Sequence, residues 1–174
     1  MFDRLIDFIL QFFDQLVPFK VVNQTDKAVR LRFGKFKETL SEGFHWKIPF
    51  VDEIISHSVL WTTISLTSQS LTTKDQKDVV VKVVIKYRIV NIETFLLEVW
   101  DAIDAISDMT QGIVFDIIKE KTWDELQTAD LKPLITRKAK NEAKRWGIEV
   151  ETVTLSDLAK IKSIRLLNDS GSVG

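Results

Sequence analysis

Residues 79–90 read Val79-Val80-Val81-Lys82-Val83-Val84-Ile85-Lys86-Tyr87-Arg88-Ile89-Val90. On an extended chain, Val79, Val81, Val83, Ile85, Tyr87 and Ile89 share one face, while Lys82, Lys86 and Arg88 share the other, interrupted by Val84. A period of two, carried mainly by β-branched residues, predicts a long strand with one face in a core and one in solvent. The polar run Thr72–Asp78 in front of it is a turn, and Asn91 behind it is a candidate helix N-cap. The strand divides the chain into an extended part and a helical part.

Upstream, Val29, Leu31 and Phe33 alternate with Arg30 and Arg32, the pattern of a half-buried strand. Gly34 and Ser41-Glu42-Gly43 are turn punctuation. Phe44–Pro49 is expected as a short aromatic strand closed by a proline that cannot donate to a ladder. Residues 54–71, rich in Thr, Ser and Val, are expected to be extended. Downstream, short helices are expected over 92–98, 100–109 and 111–121. Thr122 and Glu125 have capping-box spacing. A longer helix is expected over 131–146, stopped by Gly147. Ile148–Leu155 alternates again, and Ser156 or Asp157 is placed to cap a last helix to about Leu167. Strands first, then helices and a late strand make an α+β body. The expected boundaries are an N-terminal helix at 1–18, a folded domain at 19–167 and a polar tail at 168–174.

The first residues have a different character. On a helix, Asp3, Arg4, Asp7, Gln11, Asp14 and Gln15 occupy one arc of roughly 120°. Met1, Phe2, Leu5, Ile6, Phe8, Ile9, Leu10, Phe12, Phe13, Leu16 and Val17 fill the rest, and Pro18 stops the helix. Seventeen residues reach only about 25 Å, short of a roughly 30 Å hydrocarbon core, and Asp7 and Asp14 would sit at costly depth. The pattern therefore predicts a helix lying in a membrane interface. Phe2, Leu5, Ile6, Phe8, Ile9, Leu10, Phe12, Phe13, Leu16 and Val17 are its candidate lipid-facing residues. Packing of this helix against a partner or another protomer is the alternative.

The 174 residues carry 24 Lys and Arg against 25 Asp and Glu, a net charge of −1, which argues against a generic nucleic-acid binder. The near-zero mean hydropathy of +0.01 averages an apolar segment with a polar body. The charge is also blocked: seven basic against three acidic residues over 20–48, two against ten over 91–131, six against one over 132–146. Acidic and basic faces on one domain suit side-by-side assembly. The chain has no cysteine, which excludes disulfides, thiolate metal sites, cysteine nucleophiles and palmitoyl anchors.

Four stretches carry a resemblance. Ala28–Lys35 holds Phe33, Gly34 and Lys35. Leu40–Asp52 holds Gly43, His45 and Pro49. Thr72-Thr73-Lys74-Asp75 precedes the long strand. Trp146-Gly147-Ile148-Glu149-Val150 runs into Leu155–Leu158. In this order and spacing they resemble the band 7, or SPFH, superfamily of stomatins, prohibitins and flotillins. The resemblance implies an SPFH domain at a membrane surface that forms homo- or hetero-oligomers, often rings or cages, and organises lipids or membrane proteins, in some members a protease or channel. It departs from the family in lacking the longer intramembrane hairpin and the long C-terminal coiled coil, which weighs against large cages.

Catalytic constellations are not evident: there is no G-x-S-x-G, H-E-x-x-H, Walker A or G-x-G-x-x-G. His45 is expected as a satisfied structural histidine, and His57 has no recognisable partner. Asp101, Asp104 and Asp108 share a helix face able to meet a cation, a face more often simply solvated. Trp61, Trp100, Trp123 and Trp146 are expected to be packing residues. The function expected is a non-catalytic membrane scaffold without cofactor or metal, at the cytoplasmic face of the plasma or inner membrane. Its expected partners are lipid, copies of itself and a membrane protein such as a protease or channel. The alternative is a soluble structural subunit whose N-terminal helix packs between protomers.

Overall fold

The computed structural model describes residues 17–161, so the N-terminal helix expected over 1–18 lies almost wholly outside the described residues. The strands are β1 (Phe19–Val22), β2 (Asp26–Arg32), β3 (Lys35–Leu40), β4 (Gly43–Trp46), β5 (Asp52–Ser58), β6 (Thr62–Ser65), β7 (Gln69–Thr72), β8 (Asp78–Ile89) and β9 (Ile148–Lys160). Between β8 and β9 come the helices α1 (Ile92–Leu97), α2 (Ala102–Glu120), α3 (Trp123–Thr128) and α4 (Lys132–Ala143), and a 3₁₀ turn at Lys144–Trp146. The architecture is α+β, strand-rich first and helical later.

β8 is the spine of the body. It pairs antiparallel with β7 along its first half and β6 along its second, and with β9 along its whole other side. Val79, Val81, Val83, Ile85, Tyr87 and Ile89 are all buried, as the period of two predicts. They meet Ile106, Val114, Ile117 and Ile118 of α2 and Ile135, Ala139 and Ala143 of α4 in one continuous core. On the outer face, Lys86 pairs with Glu151 and Arg88 with Glu149, each at 2.6 Å. Both cations lie over the Trp61 ring. These basic residues are therefore ion-paired and half-covered rather than merely solvated.

Upstream, β3-β2-β5 form a second antiparallel sheet and β1-β4 a two-stranded ribbon. Their own core is small: Val22, Ala28 and Leu40, with Ile54 packed against them. β2 starts beside the body, where Val59 N–H donates to Thr25 and the His57 ring meets Phe95 of α1. Val29 and Leu31 of β2 reach the body's core, and the strand ends at Arg32.

Four expectations are corrected. The two helices expected over 100–109 and 111–121 are one helix, α2, capped by Asp101. Thr110 does not break it, because its buried hydroxyl donates to the Ile106 carbonyl at 2.7 Å, and Gly112 costs only about 1 kcal/mol relative to alanine. The helix expected from Ser156 is strand instead. β9 runs to Lys160, with Ser156 unpaired in a bulge between the Lys82↔Asp157 and Val83↔Leu155 pairs. Pairing along β8 outweighs the local capping preference of Ser156. Phe33 is not an inward residue of β2 but sits in the turn after it. Trp100 is not a packing residue; it is fully exposed in the α1–α2 loop.

Candidate functional site

The β2–β3 hairpin turns on two residues, Phe33 and Gly34, since Arg32 pairs with Lys35. Both have positive φ, +52° and +72°, as the mirror-image turns of tight hairpins require. Asn-Gly is the favoured pair there. A phenylalanine in the left-handed region costs roughly 1–2 kcal/mol, and this one is 77% exposed. The turn thus presents an aromatic ring to solvent at a backbone cost.

A second tip lies beside it. Between β4 and β5 the chain turns through Ile48-Pro49-Phe50-Val51. Val51 and Asp52 N–H groups both donate to the Ile48 carbonyl, and Phe33 N–H donates to Val51. Phe50 also has positive φ, +64°. The turn is pinned by Asp52, whose carboxylate accepts two hydrogen bonds from Arg32 (2.6 and 2.9 Å) and one from Ile48 N–H (3.0 Å). The Arg32 guanidinium, helped by Ile48 N–H, holds the Asp52 carboxyl well below the usual carboxylate range, against the opposing effect of burial. Arg30 reaches across to the Trp46 carbonyl at 2.7 Å and to Glu38. The two arginines of β2 therefore fasten β4 and the 48–52 turn to the hairpin.

The ribbon completes the surface. Phe19 stacks on Phe44 at 5.2 Å, and Phe44 meets Trp46 edge-on at 5.4 Å. Phe19, Val21, Phe33, Phe36, Phe44, Trp46, Ile48 and Phe50 are all exposed. A groove of about 740 Å³ brings Val17, Phe19, Phe33 and Phe50 to one end of the molecule, with Lys20 and Lys47 on its walls. Lys47 N–H donates to the Pro18 carbonyl at 2.8 Å, so the chain enters the fold at this same end. Single exposed apolar residues are ordinary, but a contiguous aromatic patch marks a contact surface.

Of the candidate lipid-facing residues, Val17 lines this groove, and Phe2, Leu5, Ile6, Phe8, Ile9, Leu10, Phe12, Phe13 and Leu16 lie outside the described residues. Phe33, Gly34, Lys35 and Pro49 sit at the two tips. Gly43, φ +121°, opens β4, and His45 Nε2 lies 2.8 Å from the Ser41 carbonyl across that turn. Asp75 and Gly147 are elsewhere and join elements of the body. The Asp75 carboxylate accepts from Thr73 Oγ1 and from Trp123 N–H, and pairs with Lys77 at 2.7 Å. Lys77 first, then Thr73, hold its carboxyl far below the ordinary range. At Gly147, φ +68°, a Cβ would run into the Asn91 carbonyl, and its own carbonyl accepts from Val90 and Asn91.

Asp101, read as part of a carboxylate face, is used as the α2 cap, accepting from Ile103 and Asp104 N–H. Among the described residues no His, Asp or Glu group is placed to hold a metal ion, and no helix is long and apolar enough to cross a membrane. Sequence reasoning missed the aromatic end as a surface. The available signal was Phe33-Gly34 between two strands, too short a link for anything but a left-handed turn.

A family model described as SPFH domain / Band 7 family matches residues 20–164. The modulator of FtsH protease HflK of Escherichia coli K12 is 28% identical over 110 residues, covering 63% of this chain and 26% of that protein. An uncharacterized protein of Methanocaldococcus jannaschii is 26% identical over 147 residues, 83% of this chain and 74% of the other. A putative band 7 family protein of Acanthamoeba polyphaga mimivirus is 22% identical over 146 residues, 81% and 47%. This chain thus spans only a minor part of the length of the HflK relative.

Proposed function

The chain belongs to the SPFH domain / Band 7 family, and from that premise we propose that it is a non-catalytic scaffold lying on a membrane with its aromatic end down. The observation that carries this reading is the cluster of exposed Phe19, Phe33, Phe44, Trp46 and Ile48 at the end where the chain enters from the amphipathic 1–17 segment. Two adjacent contacts, a helix in the interface and aromatic tips beside it, fix orientation where one alone leaves the domain swinging. Aromatic side chains suit the headgroup boundary, and Lys20 and Lys35, both exposed, suit lipid phosphates. Withdrawing each exposed ring from water contributes on the order of 1 kcal/mol.

Liposome flotation of the full chain tests this. Wild type floats, and Phe33→Asn with Trp46→Ser weakens binding roughly tenfold, the effect of about 1.4 kcal/mol. Undiminished flotation of that variant contradicts the orientation. Failure of wild type to float, with a stable lipid-free oligomer in its place, favours the soluble structural subunit. A second role, engagement of a membrane protein such as a protease, is supported by the likeness to HflK, a modulator of the FtsH protease. The acidic 91–131 block is the face proposed for it. Recovery of no membrane protein with the solubilised chain would count against this role.

A further inference from the structure

β7 and β9 lie on opposite sides of β8, and their outer edges are finished differently. At β9 a side chain of α4 seals the edge: the Thr136 hydroxyl accepts from Val153 N–H at 3.0 Å and donates to its carbonyl at 3.3 Å. β3, an edge of the small sheet, carries Lys35, Lys37 and Glu38, charges that keep a further strand away. β7 reads Gln69-Ser70-Leu71-Thr72, with neither charge nor proline. The register shows which of its groups point outward. Ile161 N–H donates to the Asp78 carbonyl, so Asp78 and Val80 turn their backbone groups toward β9, and Val79 and Val81 turn theirs toward β7. Leu71 and Gln69 stand opposite Val79 and Val81 and take up those bonds. The N–H and C=O groups of Ser70 and Thr72 are left on the open edge.

α2 lies alongside this edge. Gln69 Nε2 donates to Gln111 Oε1 at 2.6 Å at one end, and Lys74 N–H donates to the Lys121 carbonyl at 2.9 Å at the other. A helix rises about 15 Å from 111 to 121 and a strand about 17 Å from 69 to 74, so helix and strand run side by side in the same direction. Between them is a groove of about 620 Å³. Asp108, Gly112 and Asp116 line it on one helical stripe, each four residues from the next. Nothing lies within 4 Å of a Cβ built on Gly112. Phe115 is exposed beside it, and Lys119 lies over the Phe115 ring.

We infer that this groove receives an extended basic peptide of a partner protein, added to β7 as a further strand. The pairing is antiparallel, the commoner kind. Ser70 and Thr72 supply the backbone bonds that strand addition needs, and alternate side chains of the peptide face α2. Asp108 and Asp116 are about 12 Å apart along the helix, which four residues of strand at about 3.3 Å each match. The occupant therefore carries Lys or Arg at two positions four apart, with a small apolar residue midway between them against Gly112. The two carboxylates disfavour anionic lipid in the same place. The inference rests on the second role proposed above, engagement of a membrane protein by the acidic 91–131 block, and names the kind of segment engaged.

Fluorescence anisotropy of the full chain with the labelled peptide Gly-Ser-Lys-Thr-Val-Thr-Lys-Ser-Gly tests this. Saturable binding is expected, about tenfold tighter than for a peptide of the same composition with its lysines adjacent. Methylating the backbone nitrogen of either threonine abolishes it, because those N–H groups face β7; methylating that of valine, which faces away, does not. Gly112→Leu fills the groove and suits a helix better than glycine, so it weakens binding about tenfold without lowering the melting temperature. Asp108→Lys with Asp116→Lys also weakens it, and a peptide with glutamates in place of its lysines restores binding to that chain. Absence of saturable binding, indifference to lysine spacing, or full binding by Gly112→Leu overturns the inference. So does a groove taken by a second copy, seen as self-association that Gly112→Leu abolishes and the peptide fails to displace. Recovery of membrane protein from solubilised membranes scores the second role separately. Recovery undiminished by Gly112→Leu keeps that role and overturns the groove as its site. Peptide binding with no membrane protein recovered keeps the groove and removes that role.

Discussion

The body and the aromatic end are built from the same kinds of side chain turned opposite ways. In β8 the apolar residues of each alternate position are buried against α2 and α4. In β1, β3 and β4 most positions are exposed, large apolar ones included. The body derives its stability from packing. The end's own cluster is only Val22, Ala28 and Leu40; Val29 and Leu31 of β2 join it to the body's core, and polar fastenings, Arg32–Asp52 and Arg30–Trp46, hold its turns. The difference teaches where selection for folding stops: an end that hides so few of its aromatics keeps them for something outside the chain.

Substitutions that respect this contrast should separate the two regions. The largest loss of stability is expected for Ile85→Ala, about 3 kcal/mol from lost burial and the cavity left behind, with membrane binding of the folded fraction unchanged. Chemical denaturation and flotation measure the two. Gly147→Ala should cost about 2 kcal/mol or more, because it adds left-handed strain to a clash with the Asn91 carbonyl. Restoration of wild-type stability by an alanine there would refute the geometry.

At the aromatic end, Asp52→Asn should cost about 2 kcal/mol, the scale of hydrogen bonds to a charged group. Asp52 has a depressed folded pKa, so its stabilisation is present above the unfolded carboxylate value of about 3.9 and is lost as pH falls through the folded value. The gap between wild type and Asp52→Asn should be full at pH 7 and shrink below about pH 4. A gap independent of pH would remove the ion pair from the account. Phe33→Asn, the smallest change in stability, should leave it unchanged or raise it by up to about 1 kcal/mol, because asparagine suits the left-handed position.

The body was legible because its strands report burial by strict alternation, and β8 needs no information from elsewhere. The family signature was legible as spacing, and the structure supplies its physics: Asp52 locks the turn, Gly147 yields room to Asn91, and Asp75 ties the β7–β8 turn to the start of α3. What failed depended on partners distant in sequence. Ser156 is a good cap until β8 is alongside it. The Thr110–Gly112 stretch looks like a break until the core buries Thr110. The aromatic end was hidden because Phe33 continues the apolar alternation of β2 by one residue, and only the two-residue link to β3 reveals that it has left the strand.

The measurement that tests the central claim most directly uses the cysteine-free background. A polarity-sensitive fluorophore is attached at Phe33→Cys in one sample and at Asp108→Cys in another, and each is mixed with liposomes. The account predicts that the label at position 33 shifts to the blue as it enters the apolar boundary, while the label at position 108 keeps its aqueous emission. Aqueous emission at 33 with the protein bound, or a blue shift at 108 alone, would contradict it.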